Sequence, residues 1–331
     1  MTPTAEKLAK RSNQRLRIAI VGAGRVGAAL GCLLSRAGHR IVGVSCRSIQ
    51  KARKAKAAAG AEIASCEPAE ITKSADVVFI TTPDDVIGPL AESLADLNAF
   101  QAGASVIHCS GALSSEILAP ARRCLAGVGS LHPLQSFATV SQAVRNLPGS
   151  FCCIEGDPQT VPILKRLVRD LNGRELEIPP ASKVLYHAAA CVACNYFVAL
   201  VQLALSIDKA AGIERETALA SLLPLMRGTL DNIENAGIPQ CLTGPISRGD
   251  AHTVRRHLEA LSEALPQAAH LYCELGRLTA DIAQEKGTLS KEKAEQLALI
   301  FSNFSDNMAR GPDRPATVRK HGKHNARRRQ K

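Results

Sequence analysis

The sequence predicts an α/β chain, a mostly parallel sheet followed by an all-helical C-terminal domain. Three observations carry this reading. Short apolar runs alternate with amphipathic stretches from residue 17 to about 178, a glycine-rich turn closes the first run, and beyond Pro179-Pro180 no convincing strand remains. Strands alternating with helices imply a sheet covered on both faces.

The first run, Ile18-Ala-Ile-Val21, leads into Gly22-Ala23-Gly24-Arg25-Val26-Gly27. A helical pattern at Val26, Leu30, Leu33 and Leu34 follows, then a second run, Ile41-Val-Gly-Val44. In this context Gly22 makes the strand-to-helix turn, Gly24 lets backbone approach a pyrophosphate, and Gly27 permits close helix–strand packing. Free N–H groups at the helix start then face phosphates, so residues 22–27 are the candidate cradle of a Rossmann-type dinucleotide site. About 20 residues past the glycines, where an acid would meet the ribose hydroxyls, the chain has Ser45, Cys46, Arg47 and Ser48. The Arg47 guanidinium, with Ser45 and Ser48 as hydroxyl donors, suits a 2′-phosphate, which predicts NADPH as cofactor.

Later elements follow in order. A strand at 76–81 ends in Thr81-Thr82-Pro83, expected to border the nicotinamide ribose, and a helix from Pro83 to about Leu97 follows. Next come a strand at 104–108, a shorter helix from Ser114, strands at 127–131 and 151–154, a helix from Pro158 to Asn172 and a last strand at 175–178. Helices are expected near 181–211, 214–235, 250–264, 266–286 and 290–308, with Gly212, Gly237 and Gly287 at breaks. This gives a flexible N-terminus at 1–14, a nucleotide domain at 15–180, a helical substrate and dimerisation domain at 181–309, and a disordered basic tail at 310–331.

Composition narrows the function classes. The chain has 331 residues and 11 cysteines, several inside apolar segments, and no signal-peptide pattern; this reads as a cytoplasmic protein with reduced thiols rather than a disulfide scaffold. The net charge of +11 sits at the ends: residues 310–331 hold nine Lys/Arg against one Asp, residues 1–17 five against one Glu, and the body is nearly neutral. Such a tail can touch nucleic acid through counterion release, but without aromatic interleaving or a folded module a solvated appendage is the stronger reading. Val184–Ile207 is an uncharged stretch long enough on paper to span a bilayer. Its His187, Asn195, Gln202 and Ser206 favour a helix buried in protein, between two subunits of a homodimer, over a membrane span.

Polar residues at strand ends and on the helical domain are the candidate chemistry. Ser110 in His108-Cys-Ser-Gly111 and His132 in Ser130-Leu-His-Pro133 are candidate contacts to a small-molecule substrate, as are Thr243 and Arg248 in the loop before the helix at 250. For each, a turn, a satisfied core group or a helix cap is the competing account. Lys183, His187, Cys191 and Asn195 recur every four residues and form a slowly winding stripe on a helix. Lys183 or His187 could protonate a nascent alkoxide or amine while Asn195 orients the substrate. A buried hydrogen-bond network accounts for the stripe equally well. Cys191-x-x-Cys194 lacks a partner pair, so no metal site is expected.

The segments GAGRVG, HCSGALSSEIL, SLHPLQSF, YHAAACVACNY and LTGPISRGDAHTVRRHL, taken together over about residues 15–305, resemble bacterial Rossmann-like proteins with the C-terminal domain of unknown function 2520. That family is similar in architecture to ketopantoate reductase and pyrroline-5-carboxylate reductase. The resemblance implies an NADPH-dependent reductase converting a 2-keto acid to a 2-hydroxy acid. Alternatives are a cyclic-imine reductase and a non-catalytic NADPH-binding or sensing protein. Lys183 and Asn195 loosely match the lysine and asparagine of ketopantoate reductases, but His187 stands where the first asparagine belongs.

Overall fold

The computed structural model describes residues 15–310; the expectations for the N-terminal segment 1–14 and for tail residues beyond 310 lie outside the described residues. The first compact unit runs through Phe197 and the second begins at Val198.

The first unit is built on one eight-stranded sheet. Its strands are β1 (Arg17–Val21), β2 (Arg40–Ser45), β3 (Ile63–Ser65), β4 (Val77–Ile80), β5 (Ser105–His108), β6 (Gly127–Pro133), β7 (Phe151–Gly156) and β8 (Arg174–Glu177). The order is β3-β2-β1-β4-β5-β6-β7-β8, so the chain reverses direction across the sheet between β1 and β4, the place where such folds bind ligands. All neighbours pair in parallel except β6 and β7, which are antiparallel. The central strands are predominantly apolar because both faces are covered. Ile18, Ile20, Phe79 and Ile107 point to one layer, and Ala19, Val21, Val78, Ile80 and Val106 to the other.

The helices of this unit are α1 (Arg25–Arg36), α2 (Ile49–Ala59), α3 (Ala69–Thr72), α4 (Asp84–Asp96), α5 (Val140–Asn146) and α6 (Val161–Asp170). The helix expected from Ser114 is a 3-10 helix, Ser115–Cys124, with Pro120 inside it. Proline lacks the N–H that a continuing α-helix would need there. β3, α3 and α5 are additional to the elements predicted from the sequence.

The single helix predicted over 181–211 is a composite. A 3-10 turn (Pro180–Ser182) leads into α7 (Lys183–Cys191), a π-helical turn (Val192–Tyr196) and α8 (Phe197–Ala210). The compact units divide after this π turn, between Phe197 and Val198, rather than at Pro180. The reason is visible in α7, whose first residue is anchored in the sheet unit.

The second unit contains α8 with α9 (Arg215–Ala236), α10 (Ala251–Ala264), α11 (Pro266–Glu285) and α12 (Lys291–Arg310). Its core joins Val254 and Leu258 of α10, Ala269 and Cys273 of α11, and Leu297 and Phe301 of α12. Gly276 is required by this packing, since a Cβ there would lie 2.5 Å from the Phe301 ring.

Candidate active site

The turn after β1 has the geometry its glycines imply. Gly22 has φ +94°, and a Cβ on it would lie 2.8 Å from the Thr81 backbone. A Cβ on Gly27 would lie 2.3 Å from Thr81 Oγ1 and 2.5 Å from the Gly22 carbonyl, which itself accepts a 2.6 Å bond from Thr81 Oγ1. Around Gly24, by contrast, a Cβ meets nothing within 4 Å. Gly24 is also the N-cap of α1, with no side chain capping the helix and no acid in its first turn. Open space before uncapped, dipole-aligned N–H groups is what an anionic group needs. Ala23 and Val26 pack on the core below, and exposed Arg25 reaches the Ala138 carbonyl at 3.5 Å.

At the end of β2, Ser45 is buried and its carbonyl accepts from Gly22 N–H at 2.8 Å, which ties the two turns together. Arg47 is exposed, and the Ser48 hydroxyl caps α2 by accepting from Lys51 N–H. After β4, the Thr82 hydroxyl is buried without a partner and Pro83 is the N-cap of α4. The orphaned Thr82 hydroxyl, the open cradle at Gly24 and the exposed Arg47 cation at the β2 end fit a phosphorylated dinucleotide laid across the β1/β4 reversal.

A second group of polar side chains gathers beyond β5 and within β6. Lys183 is fully buried, and its Nζ donates to the Ser110 carbonyl at 2.7 Å and to Ser130 Oγ at 2.6 Å. Burial pushes its pKa down, opposed by nearby groups that include Glu155 and Asp84. Ser110 is pinned in turn: its Oγ donates to Asp84 at 2.7 Å and accepts from Leu113 N–H at 3.1 Å, while its N–H donates to His108 Nδ1 at 3.1 Å. Glu155, beside Ser130 on β7, is buried with one oxygen accepting from Ser115 N–H and the other from Ser115 Oγ, each at 2.7 Å.

Two imidazoles converge on Gly111. A Cβ there would lie 2.4 Å from His187 Nδ1 and 3.0 Å from His132 Nε2, so only glycine fits. The rings meet edge to face with centroids 5.8 Å apart. His187 Nδ1 is buried without a partner. His132 Nδ1 lies 3.0 Å from the Tyr186 hydroxyl; when it accepts that bond, the ring proton sits on Nε2. Burial, then the charges of Lys183 and His187, push His132 down to about 4, and burial with Lys183 takes His108 to about 3. At neutral pH His108 and His132 are therefore uncharged close to the buried Lys183 side chain.

Of the predicted residues, Ser110, His132, Lys183 and His187 therefore form one cluster. Asn195 lies in the π turn, where the extra residue per turn breaks the four-residue stripe; it is exposed and has no hydrogen bond to the other three. Thr243 and Arg248 are exposed in the second unit, in the loop before α10, where Asp250 caps the helix by accepting from Thr253 N–H at 3.0 Å. Sequence reasoning assigned no role to Tyr186, Ser130, Asp84, Glu155 or His108. A serine and a glutamate inside otherwise apolar strands, as in GVGSL and FCCIEG, were the available signal.

Fold and site define a Rossmann-type dinucleotide-binding architecture joined to a helical C-terminal region. The Rossmann-like domain family matches residues 1–133, and the Domain of unknown function (DUF2520) family matches residues 150–279. TM1727 of Thermotoga maritima is 30% identical, with a TM-score of 0.65 over 81% of this chain and 99% of that one. The chain belongs to the family of Rossmann-like proteins carrying DUF2520. BF3122 of Bacteroides fragilis, provisionally assigned as an NADP oxidoreductase, is 23% identical (TM-score 0.66, 81% of this chain and 98% of that one). An imine reductase from Pseudomonas sp. is 18% identical (TM-score 0.57, 87% and 99%). The last two likenesses are of fold. No curated protein matches the chain.

Proposed function

We propose that the chain is a cytoplasmic NADPH-dependent reductase of a small carbonyl acid, ketopantoate being the first substrate to try. The observation that carries this reading is the buried Lys183 side chain close to the neutral His132 imidazole and the unpartnered Nδ1 of His187, beyond strands whose β1 turn is shaped for a dinucleotide. When bound, NADPH supplies the hydride. The backbone of residues 22–27 would hold its pyrophosphate, Arg47 and Ser48 its 2′-phosphate, and Thr81, Thr82 and Pro83 the nicotinamide side.

The remaining chemistry falls to the second cluster. A carbonyl oxygen gaining negative charge is stabilised by fixed positive charge and by N–H donors in a water-poor site. Lys183 supplies the charge. Its two protein bonds and complete burial make it the weaker candidate for direct proton delivery, and His187, whose Nδ1 has no partner, the stronger. Ser110 and His132 border the substrate, and Asn195 is a further candidate for its anionic end.

A cyclic-imine reductase is the second reading, favoured by the fold of the Pseudomonas imine reductase. An iminium substrate is itself a cation, so Lys183 weighs against it. The discriminating experiment is a turnover screen with ketopantoate, other 2-keto acids and pyrroline-5-carboxylate, in wild type and Arg47→Ala. NADPH oxidation with keto acids, and a larger loss of affinity for NADPH than for NADH in the variant, is expected. Turnover confined to imines would select the second reading, and tight NADPH binding with no turnover would select a binding or sensing protein.

A further inference from the structure

The adenosine end of the nucleotide site carries a feature that neither the cofactor nor the reaction uses. β2 and β3 run in parallel with Val44 opposite Ala64 and Ser45 opposite Ser65. One step further the register places Cys46 opposite Cys66, and Cys46 N–H donates to the Ser65 carbonyl at 3.2 Å, the bond that this pairing requires. Cys46 and Cys66 are the residues that immediately follow the two strands, and the bond from Cys46 N–H holds these ends side by side. Opposed residues on neighbouring strands are about 4.8 Å apart, inside the Cα separation of roughly 4.4–6.8 Å that a disulfide spans. Both thiols are free, Cys66 is exposed, and Cys46 is half-buried. Cys66 Sγ already lies 3.9 Å from the carbonyl of Arg47.

We propose that Cys46 and Cys66 are a reversible dithiol/disulfide site, and that closing it weakens NADPH binding by constraining Arg47. The proposal rests on the cofactor reading given above. The oxidant is a small-molecule disulfide such as oxidised glutathione. The Cys66 thiolate attacks one of its sulfurs and expels one thiol; the Cys46 thiolate then attacks Cys66 Sγ and expels the second. Two electrons and two protons pass from the pair to the two released thiols. The new bond withdraws Cys66 Sγ from the Arg47 carbonyl and draws Cys46 toward β3. Arg47, the residue between Cys46 and the Ser48 cap of α2, is thereby held away from the position that meets the 2′-phosphate.

The full chain is equilibrated in reduced and oxidised glutathione buffers, free thiols are alkylated, and digests are searched by mass for a Cys46–Cys66 linked peptide. NADPH affinity is measured on the same samples by calorimetry. The expected result is a linked peptide in the oxidised sample only, with NADPH affinity lower by about fivefold or more. In Cys46→Ser and Cys66→Ser the peptide and the redox dependence both vanish, while affinity stays at the reduced wild-type level. Absence of the linked peptide, or its presence with unchanged affinity, overturns the proposal. If the reduced protein binds no NADPH, the cofactor reading fails and the gating with it, while the peptide still reports separately on the thiol pair.

Discussion

At the scale of single residues, the site depends on groups kept in costly protonation states. His108 and His132 are held at about 3 and about 4 by burial and by the Lys183 charge, far below the ordinary imidazole value. Both bind fewer protons folded than unfolded, so their contribution is fully present above about pH 6.5 and is lost as pH falls toward those values. The loss is about 1.4 kcal/mol per pH unit for each histidine. Urea midpoints measured from pH 7 to pH 4 should fall steeply in wild type, and His132→Gln should flatten the slope by about one histidine's share. An unchanged slope in that variant would show that His132 is not held neutral. Lys183 gives the complementary case. A buried ammonium with only two protein bonds costs desolvation, and a methionine of similar length avoids it. The same change also leaves the Ser110 carbonyl, the Ser130 hydroxyl and buried Glu155 without the ammonium, so Lys183→Met is expected to lower the thermal midpoint modestly while turnover falls at least about tenfold. A stable Lys183→Met enzyme with wild-type turnover would remove the lysine from the chemistry.

At the scale of elements, the turn between β1 and α1 separates stability from binding within four residues. A methyl group on Gly27 collides with Thr81 Oγ1 and the Gly22 carbonyl, so Gly27→Ala should cost about 1–3 kcal/mol of stability. A methyl on Gly24 enters open space at an ordinary φ of −74°. Gly24→Ala should change stability by less than about 0.5 kcal/mol yet weaken NADPH binding, because it fills the approach to the phosphates. Chemical denaturation and calorimetry on the two variants decide this; equal stability losses would contradict the division. The same turn explains what the sequence disclosed. GAGRVG and the strands flanking it are local patterns, and parallel strands buried on both faces read as plain apolar runs. β3 is three residues long with Ile63 exposed, and α5 is largely polar, so neither has a run to detect. The π turn at Val192–Tyr196 has no glycine or proline to announce it, and it undoes the stripe through Asn195. The Lys183 network joins residues 53 and 73 positions apart, which spacing along the chain does not reveal.

At the scale of the whole molecule, the largest unsatisfied feature is apolar surface on the composite helix. Among the described residues, Pro180–Ala210 is the one helix long and apolar enough to cross a bilayer, yet almost none of it is buried. Val184, Leu185, Val192, Tyr196 and Val198 along this helix are each more than half exposed. An apolar patch of this extent on a chain in water calls for a partner surface. A bilayer is a poor candidate, because the start of α7 is fastened to the sheet: Lys183 bonds Ser110 and Ser130, and Tyr186 bonds His132. A helix so tethered cannot leave water along its whole length. A second copy of the chain meets the requirement, since burying each large side chain contributes about 1.5–3 kcal/mol and a twofold interface counts every residue twice. Sedimentation at micromolar concentration should therefore give twice the 35.1 kDa chain mass. Leu185→Lys combined with Val198→Lys should shift the species toward monomer while leaving the circular dichroism of the sheet unit intact. A wild-type chain that sediments at its single-chain mass, or that floats with liposomes, would overturn the homodimer and return the helix to the membrane alternative.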